Sequence, residues 1–172
     1  MRFRSAEDRI IATKNLRWVL PLMIKTVERK LCEKGFTILK RWIEKKVKTK
    51  DLDTIFIKVE KGDFKLICNL TNLLLDILFV DRSKHFLEAR RGLTEDYVIK
   101  RCEEWVLFLN SVAKFSEKAD NIPKEEFLKK LEEHLKEDLR GKADIQFRIS
   151  TPDKDIRRKR WIRIENEEFV GG

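Results

Sequence analysis

The most apolar stretch of the chain constrains its fold most: residues 64–80 (FKLICNLTNLLLDILFV) contain 12 apolar residues out of 17. The larger polar residues of this run recur every three or four positions, as on one face of an α-helix: Lys65, Asn69, Asn72 and Asp76. A helix that is apolar on most sides is usually buried. The run is too short to cross a hydrocarbon core of about 30 Å. The pattern therefore predicts a buried helix over 64–80, capped by Asp63.

Helical periodicity recurs along the chain and predicts about six helices. The first begins near Ser5, and Pro21 either kinks it or starts a second helix, which Gly35 ends. A third helix is expected after Thr37, with Leu39, Trp42, Ile43 and Val47 inward and Arg41, Lys45 and Lys48 outward. The later helices are expected at 82–91, at 95–118 with Thr94 as its cap, and at 123–139.

Two segments instead alternate with a period of two, which indicates β-strands. Residues 54–60 (TIFIKVE) predict one strand, and 143–165 predict a hairpin around a basic loop. The expected fold is α+β, mainly helical, with a small antiparallel β element formed by 54–60 and the hairpin 143–165. The expected domains are a helical domain with one internal strand, 1–141, and a hairpin appendage packed on it, 142–172.

Positive charge is concentrated at the N-terminus. The net charge is +9, and residues 1–50 contain 15 lysines and arginines against 5 aspartates and glutamates, a balance of +10. Such an excess favours a polyanionic partner or an acidic protein surface. Charged residues make up 40% of the chain, however, a composition typical of thermophilic proteins, in which many lysines are simply solvated.

Two groups of residues are candidates for contact with nucleic-acid phosphates. The first is a helical surface: Lys25, Arg29, Arg41, Lys45 and Lys48. The second is the hairpin tip with the tryptophan that follows it: Arg157, Arg158, Lys159, Arg160 and Trp161. The tip could instead be a strand edge protected by charge, and Trp161 could stack on a base or belong to the core. For Trp18 and Trp42 the core interpretation is favoured.

The sequence contains no recognisable set of catalytic or metal-binding residues. His85 and His134 are the only histidines, and neither belongs to a recognisable general-base constellation. The sequence also shows no Gly-rich phosphate loop, nucleophile elbow or set of metal ligands. Cys32, Cys68 and Cys102 are far apart among apolar residues, which favours buried free thiols over disulfides or a zinc site. A non-enzymatic protein without a cofactor is therefore favoured. No membrane association is expected, and the apparent lack of an export signal favours the cytoplasm.

Two protein groups share features with this chain. The run LLLDILFVDRSKHFLEARRGLTED and the ending EEFVGG are similar to parts of the GINS subunits of the archaeal replicative helicase complex. The rest of the GINS β domain has no match in this sequence. The basic N-terminal third of this sequence has no counterpart in the GINS subunits. In size and basic helical character the chain also resembles the small helical subunits of CRISPR effector complexes. These resemblances imply a place in a nucleic-acid machine and transfer no functional residue.

The sequence thus favours a non-enzymatic protein that binds DNA or RNA through phosphate contacts, as a subunit of a larger complex of the replication, repair or CRISPR type. The alternative is a helical adaptor or homodimer whose basic face contacts an acidic protein. A partner subunit or a homo-oligomer is compatible with both hypotheses.

Overall fold

The structure is a computed structural model, and it describes residues 6–44, 54–80, 92–143, 147–150 and 161–166. The helices in this part of the chain are α1 (Ala6–Glu33), α2 (Thr71–Leu78), α3 (Glu95–Glu117) and α4 (Lys124–Asp138), with a 3₁₀ turn at Ala119–Asn121. The strands are β1 (Thr37–Glu44), β2 (Thr54–Lys61), β3 (Phe64–Asn69), β4 (Phe147–Ser150) and β5 (Trp161–Asn166).

The strands form one sheet in the order β1-β2-β3-β5-β4. Strands β1, β2 and β3 are consecutive in the chain and pair antiparallel. Strand β5 joins β3 in the parallel direction, and β4 pairs antiparallel with β5. The fold is mixed α+β with helices dominant among the described residues, but the prediction of about six helices is wrong. The expected small antiparallel element of 54–60 and the hairpin is also wrong, because β3 lies between β2 and β5 and pairs with β5 in the parallel direction.

The buried helix expected over 64–80 is in fact a strand followed by a short helix. Phe64, Leu66 and Cys68 are buried while Lys65 is exposed, so β3 alternates with the period of a strand. Residues Gly62 and Asp63 form a two-residue loop, because Lys61 and Phe64 on either side of them are paired. A Gly-Asp pair between two alternating segments is a hairpin signal, and the helix interpretation assigned Asp63 to a cap instead.

The helix expected after Thr37 is also wrong, since this segment forms β1. Gly35, with a φ of +87°, ends α1 and reverses the chain. The spacing of Leu39, Trp42 and Ile43 suits a helix, but in the structure these residues lie on a strand with a register shift between Ile38 and Lys40. Pro21 lies inside α1 and does not begin a separate helix.

Other predictions are confirmed. The strand expected at 54–60 is β2, and the helix expected from 95 is α3, where the Thr94 side chain accepts a 3.1 Å hydrogen bond from the backbone N–H of Tyr97. The helix expected over 82–91 lies outside the described residues. The division into domains 1–141 and 142–172 stays a prediction. None of the helices within the described ranges is long and apolar enough to span a bilayer.

Helices and sheet share one core. Helix α1 packs on α3 through Val19, Met23, Val27 and Leu31, all with no exposed surface, and α3 carries the buried Trp105. The start of β2 is fixed to the start of α2, because the Ile55 N–H donates to Thr71 Oγ1 over 2.8 Å and its carbonyl accepts from the Leu70 N–H over 2.8 Å. The helices thus cover one face of the sheet.

A buried ion cluster joins α2 to α3. Arg101 contacts Asp76, and its Nη1 donates to Glu104 Oε2 over 2.7 Å, while Arg101 and Glu104 are 8% and 7% exposed. Arg101 and Glu104 are withdrawn from water and Asp76 is partly exposed, so the two carboxylates offset part of the cost of burying the guanidinium.

Replacing Gly62 with valine should destabilise the protein by about 1–2 kcal/mol, because φ at this residue is +60°, a conformation that a β-branched residue adopts only with strain. Replacing it with asparagine should cost less, since asparagine tolerates positive φ and no neighbouring atom lies within 4 Å of an added Cβ. Urea unfolding measures both changes. Equal stability of the two variants would contradict the hairpin.

Replacing Arg101 with methionine should lower the free energy of unfolding by about 3–5 kcal/mol, because two carboxylates would remain near apolar surroundings without their cation. The matched control is Arg140→Met, where the arginine is exposed. Urea denaturation of the two variants provides the comparison. A loss below about 1 kcal/mol for Arg101→Met would show that the cluster is not a structural support.

Candidate nucleic-acid interface

An open groove lies between α1 and β1, with a volume of about 540 Å³. We call it the α1–β1 groove. Its lining combines apolar and charged residues: Pro21, Ile24, Lys25, Glu28, Arg29, Cys32, Ile38 and Arg41. Three cations and one acid therefore surround an apolar surface.

Local geometry explains why these side chains meet. The α1 residues of the groove recur at three- or four-residue steps, from Pro21 to Cys32, and so share one side of the helix. The turn at Gly35 brings β1 back beside α1. Arg41 lies opposite Ile57 in the sheet register and so projects from the helix-covered face, like Ile38, which lies opposite Val59.

The cations of the groove differ in how far they are neutralised. Arg41 Nη1 lies 3.4 Å from Glu28 Oε1, with both side chains partly exposed, a geometry of small net energy. Lys25 and Arg29 are exposed and form no ion pair with an acid of the described residues. Among the described residues, their charge is not compensated by an ion pair.

Lys30 is one position from Arg29 but points elsewhere. Its Nζ lies 3.1 Å from Glu103 Oε1 on α3 and 3.6 Å from Glu33 Oε2. The hydrogen bond to Glu103 raises the pKa of Lys30 above its ordinary value. Lys30 therefore supports the contact between α1 and α3, and its charge is not directed into the groove.

Sequence reasoning located part of this site. Of the ten predicted contact residues, the structure brings Lys25, Arg29 and Arg41 together in the groove. Lys45, Lys48 and the residues 157–160 lie outside the described part of the chain, and Trp161 begins β5 with no described side chain. The expectation that Arg41 lies on a helical surface is wrong, because Arg41 lies on strand β1.

The opposite face of the sheet carries a second group of residues that sequence reasoning did not bring together, since it favoured the core for Trp42. We call it the outer sheet face: Lys40, Trp42, Phe56, Lys58, Lys65 and Ile67. Trp42 is half-buried and stacks on Phe56, with 5.3 Å between ring centroids and an interplanar angle of 21°. Lys40 Nζ lies 5.1 Å from the centroid of Trp42. The available signal was strand alternation, which the helix interpretation of 37–44 concealed.

Residues with catalytic side chains meet at one place without forming a catalytic site. Ser111, His134 and Asp138 lie near one another where α3 packs on α4. A ring N–H of His134, however, donates to the backbone carbonyl of Ser111 over 3.1 Å, and Ser111 is 1% exposed. This serine is therefore not placed as a nucleophile.

The described residues contain no group of three or more His, Cys, Asp or Glu side chains arranged to hold a metal ion. Comparison with protein-family models, curated proteins and solved structures finds no match. The groove and the outer sheet face are therefore interpreted from their own chemistry.

The three cysteines differ sharply in accessibility. Cys32 is exposed in the groove, which corrects the expectation that it is buried, whereas Cys68 and Cys102 are buried free thiols as expected. Burial raises the pKa of Cys68, and burial likewise raises that of Cys102 to about 12. The Cys102 Sγ also contacts the Met23 carbonyl at 3.9 Å.

In the folded protein a disulfide reagent at about pH 8 should modify one thiol rapidly, at Cys32, because thiolate and access are both needed for the reaction. After unfolding in urea all three thiols should react. Counting the released chromophore and mapping the modified peptide measure this difference. Rapid native modification of Cys68 or Cys102 would contradict the packing of α3 against the sheet.

Proposed function

We propose that this protein is a non-enzymatic nucleic-acid-binding protein that contacts phosphates through the α1–β1 groove. The observation that supports this most is the convergence of Lys25, Arg29 and Arg41 beside a single acid, Glu28. Arginine and lysine held near a polyanion displace its counterions, which gives affinity without sequence preference.

The charge distribution supports the same proposal. The balance of +10 in residues 1–50 provides a long-range attraction for polyanions, and three of these cations line the groove. Helix α1 extends the basic surface through exposed Lys14 and Arg17. Electrostatic binding of this kind suits a subunit that holds nucleic acid within a larger processing complex of the replication, repair or CRISPR type. The exposed thiol of Cys32 suits a reducing compartment such as the cytoplasm.

One feature of the groove favours a second candidate function. Pro21, Ile24 and Ile38 give it apolar surface, and apolar surface beside cations also suits an acidic peptide with hydrophobic anchors. The protein would then be an adaptor for an acidic partner or a second copy of itself. The two candidate functions differ in how strongly binding depends on salt and in whether nucleic acid or an acidic polypeptide competes for the groove.

Neutralising the three groove cations together (Lys25→Gln, Arg29→Gln and Arg41→Gln) should weaken nucleic-acid binding on the order of 100-fold at about 0.1 M salt. The slope of log K against log salt should fall by about 2–3, because each lost phosphate contact removes about 0.7–0.9. Fluorescence anisotropy of labelled oligonucleotides at several salt concentrations measures both quantities.

A matched control removes the same charge elsewhere: Lys118→Gln, Lys129→Gln and Lys136→Gln, all exposed on the far helices. Its binding should change much less than that of the groove variant. Glu28→Gln should tighten binding modestly, since it removes the acid nearest Arg41. Equal losses in the groove and control variants would overturn the assignment of the groove. If polyglutamate displaces a ligand from the groove and nucleic acid does not, the adaptor function is favoured.

A further inference from the structure

We infer that the nucleic acid bound by this protein is single-stranded, and that it crosses strand β1 so that a base stacks on Trp42 while its phosphates contact the α1–β1 groove. This inference rests on the proposed function and specifies its ligand. It follows from the placement of β1 and of the side chains on its two faces.

Strand β1 is the terminal strand of the sheet, and consecutive side chains on a strand point to opposite faces. Arg41 belongs to the helix-covered face and lines the groove, whereas its neighbours Lys40 and Trp42 belong to the outer sheet face. A polymer that passes over this edge therefore meets cations of the groove first and the aromatic side chain next.

The outer sheet face has the composition of a stacking surface. Trp42 is held by Phe56, which fixes the plane of the indole, and part of its surface remains exposed. Lys40 is exposed and lies within cation–π distance of the ring, so it can move to a phosphate when a base takes its place. Lys58 and Lys65 lie on the same face of the neighbouring strands, where Lys65 Nζ is 3.9 Å from Glu60 Oε2 in an exposed ion pair of small net energy.

Stacking on an indole requires a base whose faces are free. In a duplex each base is paired and stacked between its neighbours, so an aromatic side chain on a sheet has no base face to contact. Proteins that bind single strands combine a basic track with aromatic side chains, and each stacked base contributes measurably because every base has a π-face. Leu39 and Ile43 on β1 are 43% and 50% exposed and add apolar surface along the crossing.

The experiment compares three oligonucleotides of about 12 residues, within the site sizes of single-strand binders. They are oligodeoxythymidine, its abasic counterpart with the same phosphates and no bases, and a duplex of equal length. Anisotropy titrations at about 0.1 M salt use the wild type, Trp42→Leu and Trp42→Tyr, with thermal unfolding of each variant as a check on the fold.

The wild type should bind oligodeoxythymidine about 5- to 100-fold more tightly than the abasic oligomer, and more tightly than the duplex. Trp42→Leu should lose this preference for bases while binding the abasic oligomer as the wild type does. Trp42→Tyr should retain most of the preference, because tyrosine also stacks. This pattern is independent of a general loss of stability, which would weaken binding of all three ligands together.

Equal binding of the base-containing and abasic oligomers by the wild type would overturn the inference and leave the phosphate-binding function intact. Tighter binding of the duplex than of oligodeoxythymidine would likewise overturn the inference and leave the phosphate-binding function intact. Failure of every oligonucleotide to bind, even at about 50 mM salt where phosphate contacts are strongest, would overturn the proposed function itself.

Discussion

The one-sided burial of the β2–β3 hairpin is the constraint on which the rest of this structure depends. Ile57 and Val59 on β2 and Leu66 and Cys68 on β3 pair across the hairpin and have no exposed surface, because α1, α2 and α3 cover them. At about 25 cal/mol per Å², apolar burial on this scale dominates the stability of a small domain. It also decides the remaining geometry, since only one face of the sheet is closed by the described helices.

Covering one face creates two different surfaces along β1. On the helix-covered side β1 lines the α1–β1 groove, and on the other side it presents Trp42 between Phe56 and Lys40. An edge strand with exposed apolar residues invites pairing with other chains, and charged residues such as Lys40 and Arg41 oppose it. Under the proposed function the same charges would also attract a polyanion, so edge protection and phosphate contact are compatible for β1.

The cations in the described part of the chain differ in their partners. Arg101 is buried between two carboxylates, and Lys30 is directed to Glu103, so both fix helix contacts. Lys25 and Arg29 are close in sequence to Lys30, but they line the groove and have no ion pair with a described acid. The direction of each side chain therefore says more about binding than the total charge does. This is why composition alone did not decide whether the N-terminal lysines and arginines are only solvated or contact a polyanion.

The sequence by itself determined the features that depend on local chemistry. Thr94 and the acids after it specified the start of α3, Pro123 the start of α4, and the β-branched alternation of 54–60 the strand β2. It also determined the N-terminal excess of positive charge. These features require only neighbouring residues, so periodicity and capping were sufficient to predict them.

Only the tertiary structure decided that 37–44 and 64–69 are strands. Short apolar segments such as these suit both a helix and a strand, and the pairing of each with β2 selects the strand. That selection turned Arg41 toward α1 and Trp42 to the opposite face, and it brought Lys25 and Arg29 into one groove with Arg41. The candidate site was therefore visible in the sequence as a set of charges, but its shape depends on contacts between residues distant in the chain.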